Sequence, residues 1–117
     1  MSRRVEKVNR HLQRVLAEIL LKETDIPPDV LVTISRVDTT PNLKSASVWL
    51  YIQPLERGAE VLDALKGQLY DIQGSLNRSL NMRPLPRISL IIDGGSEYAQ
   101  RIEEKFIEIH KDDPSAR

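Results

Sequence analysis

Val30-Leu31-Val32-Thr33-Ile34-Ser35-Arg36-Val37 and Lys44-Ser45-Ala46-Ser47-Val48-Trp49-Leu50-Tyr51-Ile52 are the two β-branched, aliphatic runs around which the rest of the chain must organise itself. Successive side chains of a strand point to opposite faces. In the second run this puts Ala46, Val48, Leu50 and Ile52 on one face and Ser45, Ser47, Trp49 and Tyr51 on the other. The connection Asp38-Thr39-Thr40-Pro41-Asn42-Leu43 is rich in turn formers, so the two strands are expected to make an antiparallel hairpin with a longer loop. Pro54 stops the second strand.

Upstream, residues 3–22 read as one amphipathic helix. Val5, Val8, Leu12, Val15, Leu16, Ile19 and Leu20 recur at steps of three and four, which lines them along one stripe. Arg3, Lys7, Arg10 and Arg14 gather on the opposite side, with Arg4 and His11 on its flank. Thr24-Asp25 and Pro27-Pro28 end the helix, because proline lacks the donor that would continue it. Downstream, Ala59, Leu62, Leu65 and Leu69 predict a helix over about 56–69, and Ile72, Leu76 and Leu80 predict another over about 71–82. The two are expected to meet at a kink near residues 67–71, with Gly74, Asn77, Arg78 and Asn81 projecting away from the apolar side. Arg83-Pro84-Leu85-Pro86-Arg87 is a stiff extended lead-in, since the residue before each proline is pushed away from helix. Residues 88–92 make a third strand, and Asp93-Gly94-Gly95-Ser96 a turn into a last helix over about 97–110, faced by Tyr98, Ile102, Phe106 and Ile109.

The order is helix–strand–strand–helix–helix–strand–helix. Three strands carrying helices on one face make a two-layer α+β domain with a mixed sheet, occupying residues 1–110 and followed by a polar tail over 111–117. At 117 residues the chain is sized for a single core, and with only five aromatics that core must be aliphatic.

The charges are distributed unevenly. The formal net charge is zero, yet residues 1–22 carry +4 and residues 71–92 carry +2, while 23–70 and 93–117 carry −3 each. Local fields, not the total, decide what such a molecule attracts. A solvated surface more often mixes signs, and on the first helix only Glu6 and Glu18 interrupt the basic residues. The chemistry of an enzyme is missing. The absence of cysteine excludes thiolate metal sites, disulfides and a thiol nucleophile. His11 and His110 lie near opposite ends, and Ser35, Asp38 and His110 have no spacing that makes a triad. No glycine-rich phosphate loop is present. Asp93-Gly94-Gly95 reads as a strand-end turn, and Glu103-Glu104 are adjacent and so do not face one another on a helix. No cofactor or metal is expected. No apolar run is long enough for a membrane span or secretion signal, so a cytoplasmic chain is expected.

Taken in order, several local patterns resemble those of the bacterial ribosome-binding factor A family. They are Arg4-Val5 opening the first helix, Val32-Thr33-Ile34-Ser35-Arg36-Val37 before a loop ending Asn42-Leu43-Lys44-Ser45-Ala46, and the strand Val48 to Ile52. Ala64-Leu65, then Leu76 and Leu80 leading into Met82-Arg83, and Pro86-Arg87-Ile88 opening a strand that closes on Asp93, continue the set, which Ser96 and Arg101-Ile102 complete. The resemblance spans about residues 3–106. It implies a type II KH-like fold, no enzymatic activity, and binding to the small ribosomal subunit during late maturation and 5′ end processing of its rRNA, with a link to growth in the cold. The expected partners are that subunit and its rRNA, with the acidic tail either repelling nonspecific RNA or contacting a ribosomal protein, and a monomer is expected. The rRNA contacts are then expected from Arg3, Arg4, Lys7, Arg10, Arg14, Lys44, Gly74, Asn77, Arg78, Arg83 and Arg87. One feature departs from the family pattern. Its usual Ala-x-Gly at the helix junction falls on Gln68-Leu69-Tyr70, leaving Gly67 and Gly74 to supply the flexibility. The alternative reading is a protein–protein adaptor or structural domain that uses the sheet face around Trp49 and Tyr51, a face that is either half-covered by a packing partner such as the tail or a stacking platform for bases.

Overall fold

The structure is a computed structural model that describes residues 3–83 and 85–93. Helix α1 spans Arg3–Glu23, strand β1 Leu31–Thr39 and strand β2 Ser45–Gln53. A short 3-10 turn, Leu55–Arg57, leads into α2 (Gly58–Gly67), then α3 (Leu69–Ser79) and β3 (Arg87–Ile92). The sheet order is β1-β2-β3, with β1 antiparallel and β3 parallel to β2. A parallel pair needs a crossover, and α2 and α3 provide it. The expected mixed three-stranded sheet with helices on one face is therefore present. The helix expected over 97–110, the turn residues Gly94–Ser96 and the tail over 111–117 lie outside the described residues.

The core forms where the apolar stripe of α1 meets the inner face of the sheet. Val5, Val8, Leu12, Leu16, Ile19 and Leu20 are buried on α1, and Ala46, Val48, Leu50 and Ile52 on β2. Ile88 and Leu90 of β3 and Val61, Leu65, Ile72 and Leu76 of the crossover helices complete it. Each such side chain contributes about 1.5–3 kcal/mol when fully buried, so this aliphatic set supplies the driving force that five aromatics could not. Two polar bolts fix α1 against β1. Asn9 Oδ1 accepts from the backbone N–H of Thr39 (2.9 Å) and from its hydroxyl (2.5 Å), and Gln13 donates to the Ile34 carbonyl (3.3 Å).

Several boundaries differ from the sequence reading. Strand β1 runs on through Asp38 and Thr39, because Thr39 points inward and is satisfied by Asn9. It also contains a bulge between Ile34 and Arg36, so Ser35 and Arg36 both face outward while Ile34 and Val37 face the core. The loop is thereby shortened, and Leu43 turns it with φ 62° while burying its side chain. Helix α3 starts and stops earlier than the pattern predicts. Leu80 is already extended (φ −114°, ψ 129°), so Asn81 lies beyond the helix. Only Gln68 separates α2 from α3, which gives the expected kink, and its backbone is not left-handed (φ −100°, ψ 7°).

Candidate nucleic-acid interface

The first basic group is a stripe on α1. Arg3, Arg4, Lys7, Arg10 and Arg14 are all exposed. None of the five is within ion-pair distance of a described acidic group; the one polar contact is from Arg14 to His11 Nδ1 (3.2 Å). Two arginines elsewhere are paired. Arg57 bridges Asp29 (2.6 Å) and Glu60 (2.9 Å), and Arg36 meets Asp38 at 3.2 Å. The hydrogen bonds from Arg57 hold the Asp29 carboxyl below the usual carboxylate range, and those to Glu60 and Asp29 raise Arg57. The α1 stripe thus carries cations with no ion-pair partner among the described residues.

The second group surrounds a cleft of about 450 Å3 between the end of α3 and the start of β3. Asn77, Arg83 and Arg87 line it together with Gln73 and Asn81, over a floor of Leu80, Met82 and Leu85. Arg87 N–H donates to the Lys44 carbonyl (3.0 Å), so parallel pairing of β3 with β2 brings Lys44 beside Arg87. Gln73, which periodicity does not single out, holds the cleft in shape: it accepts from Ile88 N–H (2.9 Å) and donates to the Pro86 carbonyl (3.1 Å). The polar residues Gln73 and Asn77 stand one turn apart, a weak signal that could have found the pair.

Arg78 and Gly74 are placed differently from the expectation of a freely projecting face. Gly74 is half-buried, and a Cβ built on it would meet Arg78 Nη1 at 3.4 Å. Arg78 folds back along the helix and donates to the Ser75 hydroxyl (3.1 Å), which in turn donates to Glu23 at the end of α1 (2.5 Å). The junction residues Gly67, Gln68, Leu69 and Tyr70 lie at or before the start of α3 and none of them lines the cleft, whose residues on that helix begin at Gln73. Tyr70 is 89% exposed there, and nothing lies within 4 Å of a Cβ placed on Gly67. The eleven expected contact residues therefore fall into an α1 stripe, a cleft group with Lys44 beside it, and the pair Gly74 and Arg78, whose arginine folds back along its own helix.

The outer sheet face is less open than the stacking reading requires. The Arg36 guanidinium lies 4.4 Å from the centre of the Trp49 ring, covering one side of it. The Tyr51 hydroxyl accepts from Gln53 (2.8 Å). Ser35, the bulged residue, donates to Asp93 (2.8 Å) and to the Trp49 carbonyl (3.2 Å), while Asp38 is paired with Arg36. No catalytic constellation forms from these groups, and no cluster of metal-ligating side chains occurs among the described residues. No described helix is long and apolar enough to cross a membrane.

Comparison with known proteins places a fold of this order. The family model described as ribosome-binding factor A matches residues 4–106. The chain belongs to the ribosome-binding factor A family. Among its relatives, the ribosome-binding factor A of Limosilactobacillus fermentum is 32% identical over 113 residues, covering 92% of each chain. That of Bdellovibrio bacteriovorus is 29% identical over 109 residues, covering 92% of this chain and 81% of the relative. The crystal structure of the Thermus thermophilus ribosome-binding factor A superposes with a TM-score of 0.64 at 28% identity, covering 75% of this chain and 93% of that one. A coordinate set of the same Thermus protein, fitted into an electron-microscopy map of its complex with the 30S subunit, gives a TM-score of 0.59 at 30% identity over 71% and 88% of the two chains. As a family member the chain is a non-catalytic, ribosome-binding assembly factor that aids rRNA maturation.

Proposed function

We propose that this ribosome-binding factor A relative docks on the small ribosomal subunit through rRNA phosphates, with the α1 stripe as its principal contact and the cleft group as its second. The observation that carries the reading is the run of five exposed α1 cations with no ion-pair partner among the described residues. Contacts of this kind position a protein on folded RNA without reading sequence, and they draw their free energy from counterions released by the phosphates. A rigid, non-catalytic domain bound in this way can hold a late precursor in one arrangement while other enzymes trim the 5′ end of its rRNA. It would do so in the cytoplasm, where small subunits mature.

The test is complementation. Cells depleted of the factor should accumulate small-subunit rRNA with an untrimmed 5′ end, most visibly in the cold, and the wild-type chain should restore trimming. A variant with Lys7, Arg10 and Arg14 all changed to Gln should be present at normal levels and fail to restore it. Full rescue by that variant would remove the stripe from the proposal.

A further inference from the structure

The cleft between α3 and β3 has a hydrogen-bonding polarity set from the backbone outward. Ile88 N–H can only donate, so the Gln73 atom it meets at 2.9 Å is the carbonyl oxygen, Oε1. The other end of the Gln73 amide is therefore Nε2, which agrees with its partner at 3.1 Å, the Pro86 carbonyl, a group that can only accept. Nε2 also donates to Asn77 at 3.1 Å, so Asn77 must turn its oxygen toward Gln73. That leaves the Asn77 amino group facing outward. Arg83 and Arg87, exposed on the same cleft, are donors only.

From this we infer that the cleft takes one unpaired nucleotide of RNA and that Asn77, positioned by Gln73, selects a base presenting a keto oxygen, uracil or guanine, over adenine. The inference rests on the rRNA-binding reading and names what one part of that surface recognises. An asparagine free to rotate pairs well with adenine, accepting from N6 and donating to N7 at once. Held with its oxygen toward Gln73, Asn77 turns its amino group to the cleft, which suits a base with a keto oxygen at its exocyclic position, where adenine presents an amino group instead. The remaining features suit a nucleotide. Leu80, Met82 and Leu85 offer an apolar surface for the face of a base, and the two guanidiniums offer contacts to its phosphate. The volume of about 450 Å3 lies within the roughly 300–1,000 Å3 of small-ligand sites.

Gln73 is a positioning residue here, so the readout must be base preference and not affinity alone. Short labelled oligo(U) and oligo(A) would be titrated against the full chain by fluorescence anisotropy, at one salt concentration, for wild type, Gln73→Glu and Asn77→Asp. Wild type should prefer oligo(U) by about fivefold, the worth of one net hydrogen bond. Gln73→Glu can only accept toward Asn77, which turns the Asn77 amino group inward and its oxygen out. Its added charge should weaken both oligonucleotides, while the U-to-A ratio falls below that of wild type and moves toward adenine. Asn77→Asp, at an exposed position that leaves the fold alone, should lose the preference for uracil. It supplies the test if melting shows that Gln73→Glu does not fold. A wild-type ratio near one, or a ratio unchanged in Asn77→Asp, overturns the inference. Absence of small-subunit binding by the wild-type chain, measured separately, would instead count against the rRNA reading on which it rests.

Discussion

At the scale of single residues, the polar groups that matter most are those whose partners arrive from distant parts of the chain. Asn9 is the clearest case. Its oxygen satisfies both the backbone N–H and the hydroxyl of buried Thr39, 30 residues away. Asn9→Ala should therefore destabilise the fold by about 1–3 kcal/mol, the cost of leaving buried donors unpaired, whereas Asn9→Asp retains an acceptor and should keep most of the stability at neutral pH. Urea unfolding of the three proteins checks this, and equal losses in both variants would show that the oxygen is not what holds Thr39. Gly74 makes the opposite case. Its backbone is ordinary helix, and an added Cβ would touch only the end of the Arg78 side chain at 3.4 Å. Gly74→Ala should then be neutral or stabilising by up to about 1 kcal/mol, because alanine is the better helix former. Leu43 combines a left-handed backbone with a buried side chain, so Leu43→Ala keeps the strain and loses the packing, and should cost about 2–5 kcal/mol by the same measurement.

At the scale of elements, the legibility of the sequence follows the range of the interactions. Helix α1 was readable because its stripe repeats every three to four residues and its six buried positions all belong to that stripe. The alternation in β2 was readable for the same local reason. In β1 the apolar positions skip from Ile34 to Val37, a change of phase that marks the bulge at Ser35-Arg36 and that a simple run of β-formers conceals. The end of α3 and the posture of Arg78 were not readable. Both depend on Ser75, Glu23 and the arrival of β3, and no local pattern encodes them. The α1 basic stripe could be located from sequence, but that its cations have no ion-pair partner among the described residues required the neighbouring elements in place. If those cations bind phosphates, changing Lys7, Arg10 and Arg14 together to Gln should leave thermal unfolding nearly unchanged, within about 0.5 kcal/mol per exposed site. The same variant should reduce the slope of log affinity against log salt by about 2 to 3, near one per lost contact. A variant that melts early would instead show that these side chains serve the fold.

At the scale of the whole molecule, a chain with no net charge behaves as a directed cation because its basic and acidic groups occupy different segments. The sheet and its helices carry both the α1 stripe and the cleft group, and no cluster of metal-ligating side chains occurs among the described residues. The measurement closest to the central claim is co-sedimentation of the wild-type chain with separated small and large ribosomal subunits across a salt series from about 50 to 200 mM, a range in which six to ten phosphate contacts would weaken binding by about 10³–10⁵. Selective binding to the small subunit that falls steeply with salt is the predicted result; equal binding to both subunits, or binding to the small subunit that salt does not weaken, would contradict it.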